Sequence, residues 1–412
     1  MNVFMLGGSN TIIKDGLNSG WPTEVRVKNC AIGASSAIQN LYSFLKVKHE
    51  IGIEDLVITE SNVNDSFNLS THGKQYIDVI LGNIDALYYE LNRVHCKKVV
   101  LIMPFRDYLA RQEPQEFVDI VNARHRLNAN NYGFYLLDLA SIFENENPDD
   151  LKYLLTDARH PLQAIMFEIS RNIGRYFLKN ENSSTSSVEA PQREYHYILS
   201  FEGLDDLSVL KKNSVFKEST FPLQKPYRIT AKYKGLDLIG IGTWSDAQSK
   251  AVIKNSDNEV IKPFNSLNSF NEIIAPITID GDTWISSCLD ARKNTEGSIN
   301  CSNATPTDIV LLTGLLFRRK EFCVDLNGNK EKSKHVDFLV PQLKTYITTL
   351  KFYLLKNEEY FHRVELDVDK IIEISERIKN LDYEAGLYLL KVAFNIRPSP
   401  GIQKKLDNYN LE

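Results

Sequence analysis

The chain has 412 residues, 43% of them hydrophobic and 25% charged, with a formal net charge of −5. That length predicts two or three domains, and the acidic balance argues against a nucleic-acid-binding protein. No apolar run approaches the ~18 residues of a membrane span, and five cysteines without a Cys-x-x-Cys indicate neither a zinc site nor a disulfide framework.

Met1–Leu6 has no Lys or Arg before it and runs straight into Gly7-Gly8, so it reads as a first strand rather than an export leader. With reduced thiols, this sets the expected location as cytoplasmic; the gap between Cys288 and Cys301 permits one bridge but does not demand it. Short apolar runs of strand length follow at Val25–Asn29, Leu56–Glu60, Val99–Met103 and Phe134–Asp138. Between them Ser35–Lys48, Gly73–Val94 and Pro114–Asn130 read as helices, and Leu162–Leu178 supplies a last one. Alternating strands and helices predict an α/β unit over 1–179, a parallel sheet covered by helices on both faces.

Lys179–Arg193 is rich in Ser, Asn and Glu, and 180–193 reads as a flexible linker. Beyond it, Tyr195–Phe201, Tyr227–Tyr233, Leu236–Thr243, Glu272–Asp280, Thr283–Leu289 and Ile309–Phe317 look like strands separated by turn signals. Residues 194–338 are therefore expected to form an antiparallel β-sandwich. Its aromatics in Tyr227–Tyr233 and Asp282–Trp284 suit either a core or a sugar-stacking surface. Residues 339–412 turn helical at Leu343–Leu355, Val368–Ile378 and Tyr383–Phe394. Tyr383–Leu406 faintly resembles one tetratricopeptide-type hairpin, which must pack on another unit to bury its face.

Ligands of open α/β sheets bind beyond the carboxyl ends of the strands. There lie Gly7-Gly8-Ser9-Asn10, then Gly33, then Asn62-Val63-Asn64-Asp65, and, before the last helix, Asp157-Ala158-Arg159-His160-Pro161. A serine hydroxyl needs a base to become a nucleophile. His160 can take the Ser9 proton, and Asp157, three residues earlier, can hold the imidazole if the two share one side of a helical turn. The amides of Ser9 and Gly33 and the side chain of Asn64 are candidate donors to an oxyanion. The remaining histidines show no metal-ligand spacing, and Arg106 and Arg159 read as solvated.

These four blocks resemble the SGNH (GDSL-type) serine hydrolases over about Met1–Lys179. Two positions depart from the family pattern: Gly8 stands where the family has Asp, and Asn62 where it has Gly. The resemblance implies a three-layer α/β/α (flavodoxin-like) fold, a Ser9–His160–Asp157 triad and acyl-ester chemistry without a metal or resident cofactor. An O-acetyl esterase acting on an acylated small molecule or glycan leads the readings. One alternative is an O-acetyltransferase moving acetyl from acetyl-CoA to a surface or capsular polysaccharide. Another is a non-catalytic glycan-binding or scaffold protein. Oligomeric state is left open.

Overall fold

The computed structural model describes residues 1–105, 115–144, 146, 151, 154–157, 159–179, 194–199, 201–212, 217–244, 249–264, 270–288, 293–297, 309–320, 334–335, scattered positions from 343 to 393, and 399–409. The expected linker 180–193, Arg106, Cys301 and half of the Tyr383–Leu406 hairpin lie outside the described residues.

The first unit is built on β1 (Asn2–Leu6), β2 (Arg26–Asn29), β3 (Leu56–Thr59), β4 (Lys97–Ile102) and β5 (Tyr135–Asp138), all parallel in the order β5-β4-β3-β1-β2. Every residue of β3 and β4 is buried, as a parallel strand covered on both faces must be, whereas the edge strand β2 stays partly exposed. The strands feed two cores in alternation. Val3, Met5, Ile58 and Leu101 face α7 (Gln163–Lys179), which supplies Ile165, Ile169, Ile173 and Phe177. Phe4, Leu6, Val57 and Val100 face α2 (Ala37–Val47) and α4 (Ile77–Asn92). This is the expected α/β/α arrangement. β18 (Lys334–His335) adds a further parallel strand beside β5. Leu343, Tyr346, Ile347 and Leu350 pack into the same core as α7, so the start of the C-terminal helical region docks on the first unit.

One element was hidden in the sequence. No helix was expected at α3 (Asn62–His72), and the face it buries carries Asn62, Asp65, Ser66 and Asn68 besides Val63 and Leu69. A helix that buries amides and a carboxylate shows no apolar period to read. Asp65 explains part of that burial. Its carboxylate accepts the Ala37 N–H at the start of α2 (2.8 Å) and contacts His125 Nε2 (3.0 Å) on α5 (Gln115–Asn131), while His125 Nδ1 meets Tyr88 OH of α4 (3.0 Å). This closed polar chain ties four helices together.

The second half is a β-sandwich, as expected. One antiparallel sheet has the order β15-β12-β17-β10-β9, with β8 (Tyr195–Ile198) also on β17; the other has the order β11-β16-β13-β14. Their strands run β9 (Val209–Lys212), β10 (Lys217–Pro222), β11 (Tyr227–Arg228), β12 (Leu236–Thr243), β13 (Ser249–Lys254), β14 (Glu259–Phe264), β15 (Phe270–Thr278), β16 (Trp284–Ser287) and β17 (Leu311–Arg319). β9, β10, β13 and β14 were not expected; each carries two lysines or glutamates, which mask the alternation. The strand expected over Tyr227–Tyr233 is only β11, followed by a 3-10 turn at Ala231–Tyr233. Tyr227 is buried in the sandwich core, Tyr233 stacks on Phe317 (4.7 Å between centroids), and Trp284 packs against Val252 and Ile261. Tyr227 is thus a core residue, and Tyr233 and Trp284 are partly buried against the sandwich's apolar clusters.

The sandwich shares a helical layer with the first unit. On β17, Leu315 and Phe317 point into the sandwich while Leu316 joins the α2–α4 core; Ile273 and Ile274 divide the same way on β15. Tyr42 of α2 stacks on Phe270 (4.6 Å) and lies against Gly314, where a Cβ would collide with its hydroxyl. No helix among the described residues is long and apolar enough to cross a membrane.

Candidate active site

β1 ends at Leu6, and the chain turns through Gly7-Gly8 into α1 (Ser9–Ile12). The turn is tight for a visible reason. A Cβ on Gly7 would strike the Thr11 hydroxyl, and one on Gly8 would strike the Asn64 side-chain amide. The departure at Gly8 therefore fits this packing: a side chain there would displace Asn64. We expect Gly8→Ala to lower kcat by about 10²-fold through loss of that donor's placement, with the protein still folded by circular dichroism; unchanged kcat would show that Asn64 has no bearing on the reaction.

Far along the chain, β6 (Leu155–Asp157) and β7 (His160–Pro161) form a small antiparallel pair in which Asp157 registers with His160. This corrects the helical-turn expectation. The two side chains meet because they face each other across a tight connection, not along a helix. Ser9 Oγ lies 2.6 Å from His160 Nε2, and His160 Nδ1 lies 2.8 and 2.7 Å from the two Asp157 oxygens. With Nδ1–H donated to Asp157, Nε2 is left to accept the serine proton. Asp157 also accepts the backbone N–H of Arg159 (2.8 Å) and of His160 (3.1 Å), and the Thr156 hydroxyl donates to the His160 carbonyl (3.1 Å). Burial acts to raise the Asp157 carboxyl, but the hydrogen bonds from the His160 ring and the Arg159 amide outweigh it and hold the group ionised below its usual range. Buried Asn10 donates to the Arg159 carbonyl (3.1 Å), which anchors this hairpin to α1, the helix that Ser9 begins.

The other expected blocks converge on the same rim to different degrees. Asn64, in the first turn of α3, donates one Nδ2–H to the Ser35 carbonyl (3.0 Å) and lies against Gly8. The block-two loop is tied to the nucleophile turn by Ile32 N–H to Gly7 O (3.0 Å). Within that loop the left-handed backbone falls on Ala34 (φ 59°), not on Gly33; Ile12 is 3.6 Å from where a Gly33 Cβ would stand. Asn62, the second departure, is fully occupied in structure: it donates to the Met103 carbonyl (2.9 Å) and to Asn122 (2.8 Å) and accepts the Met103 N–H (3.0 Å).

Two residues at the site were not singled out as functional from sequence. Arg159 is not a solvated arginine: its guanidinium lies over the Phe67 ring at 4.4 Å and the Phe105 ring at 5.6 Å, which forms a cation–aromatic wall beside His160. Glu60, directly after β3, is 2% exposed; it accepts the Gly8 N–H (2.6 Å) and the Thr11 hydroxyl (2.9 Å). An acid closing an all-apolar strand at the ligand-binding end was the available signal. Among the described residues no group of His, Cys, Asp and Glu is arranged to hold a metal ion.

A parallel sheet of this order, covered by helices on both faces, with Ser9, His160 and Asp157 in line beyond its carboxyl edge, forms a three-layer α/β/α unit. No family model matches the chain, and no curated protein does. Among solved structures, the acetyl xylan esterase AlAXEase aligns at 17% identity over 43% of this chain and 98% of its own, with a TM-score of 0.30. A catalytic mutant of an acetylxylan esterase from Geobacillus stearothermophilus aligns at 16% identity over 46% and 97%, with a TM-score of 0.32. An extracellular lipase from Streptomyces rimosus aligns at 14% identity over 44% and 100%, also at 0.32.

Proposed function

We propose that this protein is a serine esterase that cleaves acyl esters, most fittingly O-acetyl esters of a carbohydrate, through an acyl-enzyme on Ser9. The 2.6 Å contact between Ser9 Oγ and His160 Nε2, with Asp157 on the opposite ring nitrogen, carries the reading. His160 takes the Ser9 proton as the hydroxyl oxygen attacks the acyl carbonyl. The oxyanion receives the Ser9 and Gly33 N–H groups and the second Nδ2–H of Asn64. His160 then gives its proton to the departing alcohol, and water, deprotonated by the same imidazole, releases the acid. The Arg159 guanidinium, stacked by its face, suits an alcohol rich in hydroxyl acceptors rather than a long alkyl chain.

The test is turnover of 4-nitrophenyl acetate and of acetylated oligosaccharides, together with labelling by a fluorophosphonate probe. We expect both, with the label mapped to Ser9 by mass spectrometry. A folded protein that neither turns over these esters nor takes the label would overturn the proposal in favour of a non-catalytic glycan-binding role. Acetyl transfer from labelled acetyl-CoA to a glycan, in the absence of ester hydrolysis, would reassign the same triad to an acetyltransferase.

A further inference from the structure

Behind the nucleophile turn sits a carboxyl group that the triad does not use. Glu60 Oε1 accepts the Gly8 N–H and the Thr11 hydroxyl, so one oxygen grips both the residue before Ser9 and the helix that Ser9 begins. The Glu60 backbone is itself fixed, with its N–H on Leu6 O (3.1 Å) and its carbonyl on Asn40 Nδ2 (2.9 Å). Its second oxygen, Oε2, is buried and has no hydrogen-bond partner among the described residues. Position 8, where the related pattern carries its own carboxylate, is a glycine that cannot accept a side chain beside Asn64.

We propose that Glu60 is a positioning residue for the reaction: from β3 it supplies in space the carboxyl that position 8 lacks, and by holding the Gly8 amide it aims the Ser9 hydroxyl and Ser9 N–H. The inference rests on the esterase reading above. The charged group facing Glu60 is Asp65 of α3, which is paired with His125 of α5; Thr11 of α1 and Asn40 of α2 are neutral. Burial first, and Asp65 second, push the Glu60 carboxyl up to about 7, against the pull of the Thr11 and Gly8 hydrogen bonds. Glu60 is therefore neutral on the acid side of neutrality and anionic on the alkaline side. As an anion on the Gly8 N–H, one residue before Ser9, it opposes the negative charge that builds on the substrate oxygen.

Two measurements test this. Gly7-Gly8 is the one Gly-Gly bond in the chain. Labelling glycine with carbonyl ¹³C and amide ¹⁵N thus isolates the Gly8 amide as a single correlation. Its proton shift should titrate near pH 7 in the wild type and stay flat in Glu60→Gln. On 4-nitrophenyl acetate, wild-type kcat should decline on the alkaline side of its optimum, and Glu60→Gln should keep its activity at pH 6 but lose that decline. Glu60→Ala, which removes the acceptor, should lose about 10²-fold in kcat with KM unchanged. A Gly8 signal that ignores pH in the wild type, or an active enzyme whose kcat is the same in Glu60→Ala, overturns the inference. An inactive wild type with an intact Gly8 titration instead overturns the esterase reading and leaves the grip of Glu60 on the turn standing.

Discussion

His160→Ala should lower kcat on acetyl esters by about 10⁵–10⁶-fold, Ser9→Ala by about as much, and the double variant should be no slower than either. The reason is that the two side chains make one device. Without the imidazole the Ser9 hydroxyl has no proton acceptor, since His160 Nε2 is the ring nitrogen that approaches it; without the hydroxyl the base has nothing to activate. What survives in each case is the contribution of the oxyanion donors and of binding, so the losses do not add. Asp157→Asn should cost less, about 10³–10⁴-fold, because it leaves Ser9 and His160 in place and damages only the tautomer and the stability of the imidazolium. KM should move little in all of these variants. Multiplying losses in the Ser9, His160 double variant would mean that the two act independently and that the 2.6 Å contact is not used in the reaction.

The strand framework and the candidate blocks were legible because their signals are local. Short apolar stretches such as Val3–Leu6, Leu56–Ile58 and Val99–Ile102 mark strands, and each candidate block follows a strand or precedes the last helix. What the sequence could not show is what crosses the chain. The grip of Glu60 on Gly8 spans 52 residues, and nothing in either neighbourhood announces the other. The helix α3 escaped notice because its buried face is polar and is satisfied by Ala37, His125 and Met103 at a distance. The Asp157–His160 pairing was right in its residues and wrong in its geometry, since a spacing of three fits a helical turn and a tight hairpin alike. In the sandwich, strands carrying Lys and Glu were missed, and of the two readings open for its aromatics the packing favours the core. Polar residues obscure a strand when one of its faces is only half covered.

The seam between the sandwich and the first unit holds the other large expected effect. Lys262 of β14 is 1% exposed, and its ammonium lies 3.1 Å from Glu296 Oε2. Glu296 also accepts the backbone N–H groups of Ile274 (3.1 Å) and Ala275 (2.7 Å). Beside them, Glu272 of β15 accepts from Asn83 of α4 (3.2 Å) and faces His72 of α3 at 4.0 Å. Burial keeps this cluster balanced. It pushes the Glu272 carboxyl up to about 8, against the attraction of Lys262, and, with Lys262 adding to it, drives the His72 imidazole down to about 3. The ion pair of this cluster is therefore Lys262 with Glu296. Glu296→Ala leaves a buried ammonium and two amides without their acceptor, and should destabilise the protein by about 3–5 kcal/mol at pH 6 in urea unfolding. The loss should shrink by pH 9. A carboxyl whose folded pKa is raised costs the wild type stability as pH climbs from its unfolded value of about 4.5 through about 8, because the folded protein must then hold the extra charge. In the variant that same charge on Glu272 is the counter-ion Lys262 has lost, so ionisation helps rather than hurts. Lys262→Met combined with Glu296→Leu should recover much of the stability lost in the single variant, since neither charge then stays behind. A destabilisation below about 1 kcal/mol, or one of equal size at pH 6 and pH 9, would show that the seam is held by its apolar contacts at Tyr42, Phe270 and Leu316 and not by this charge pair.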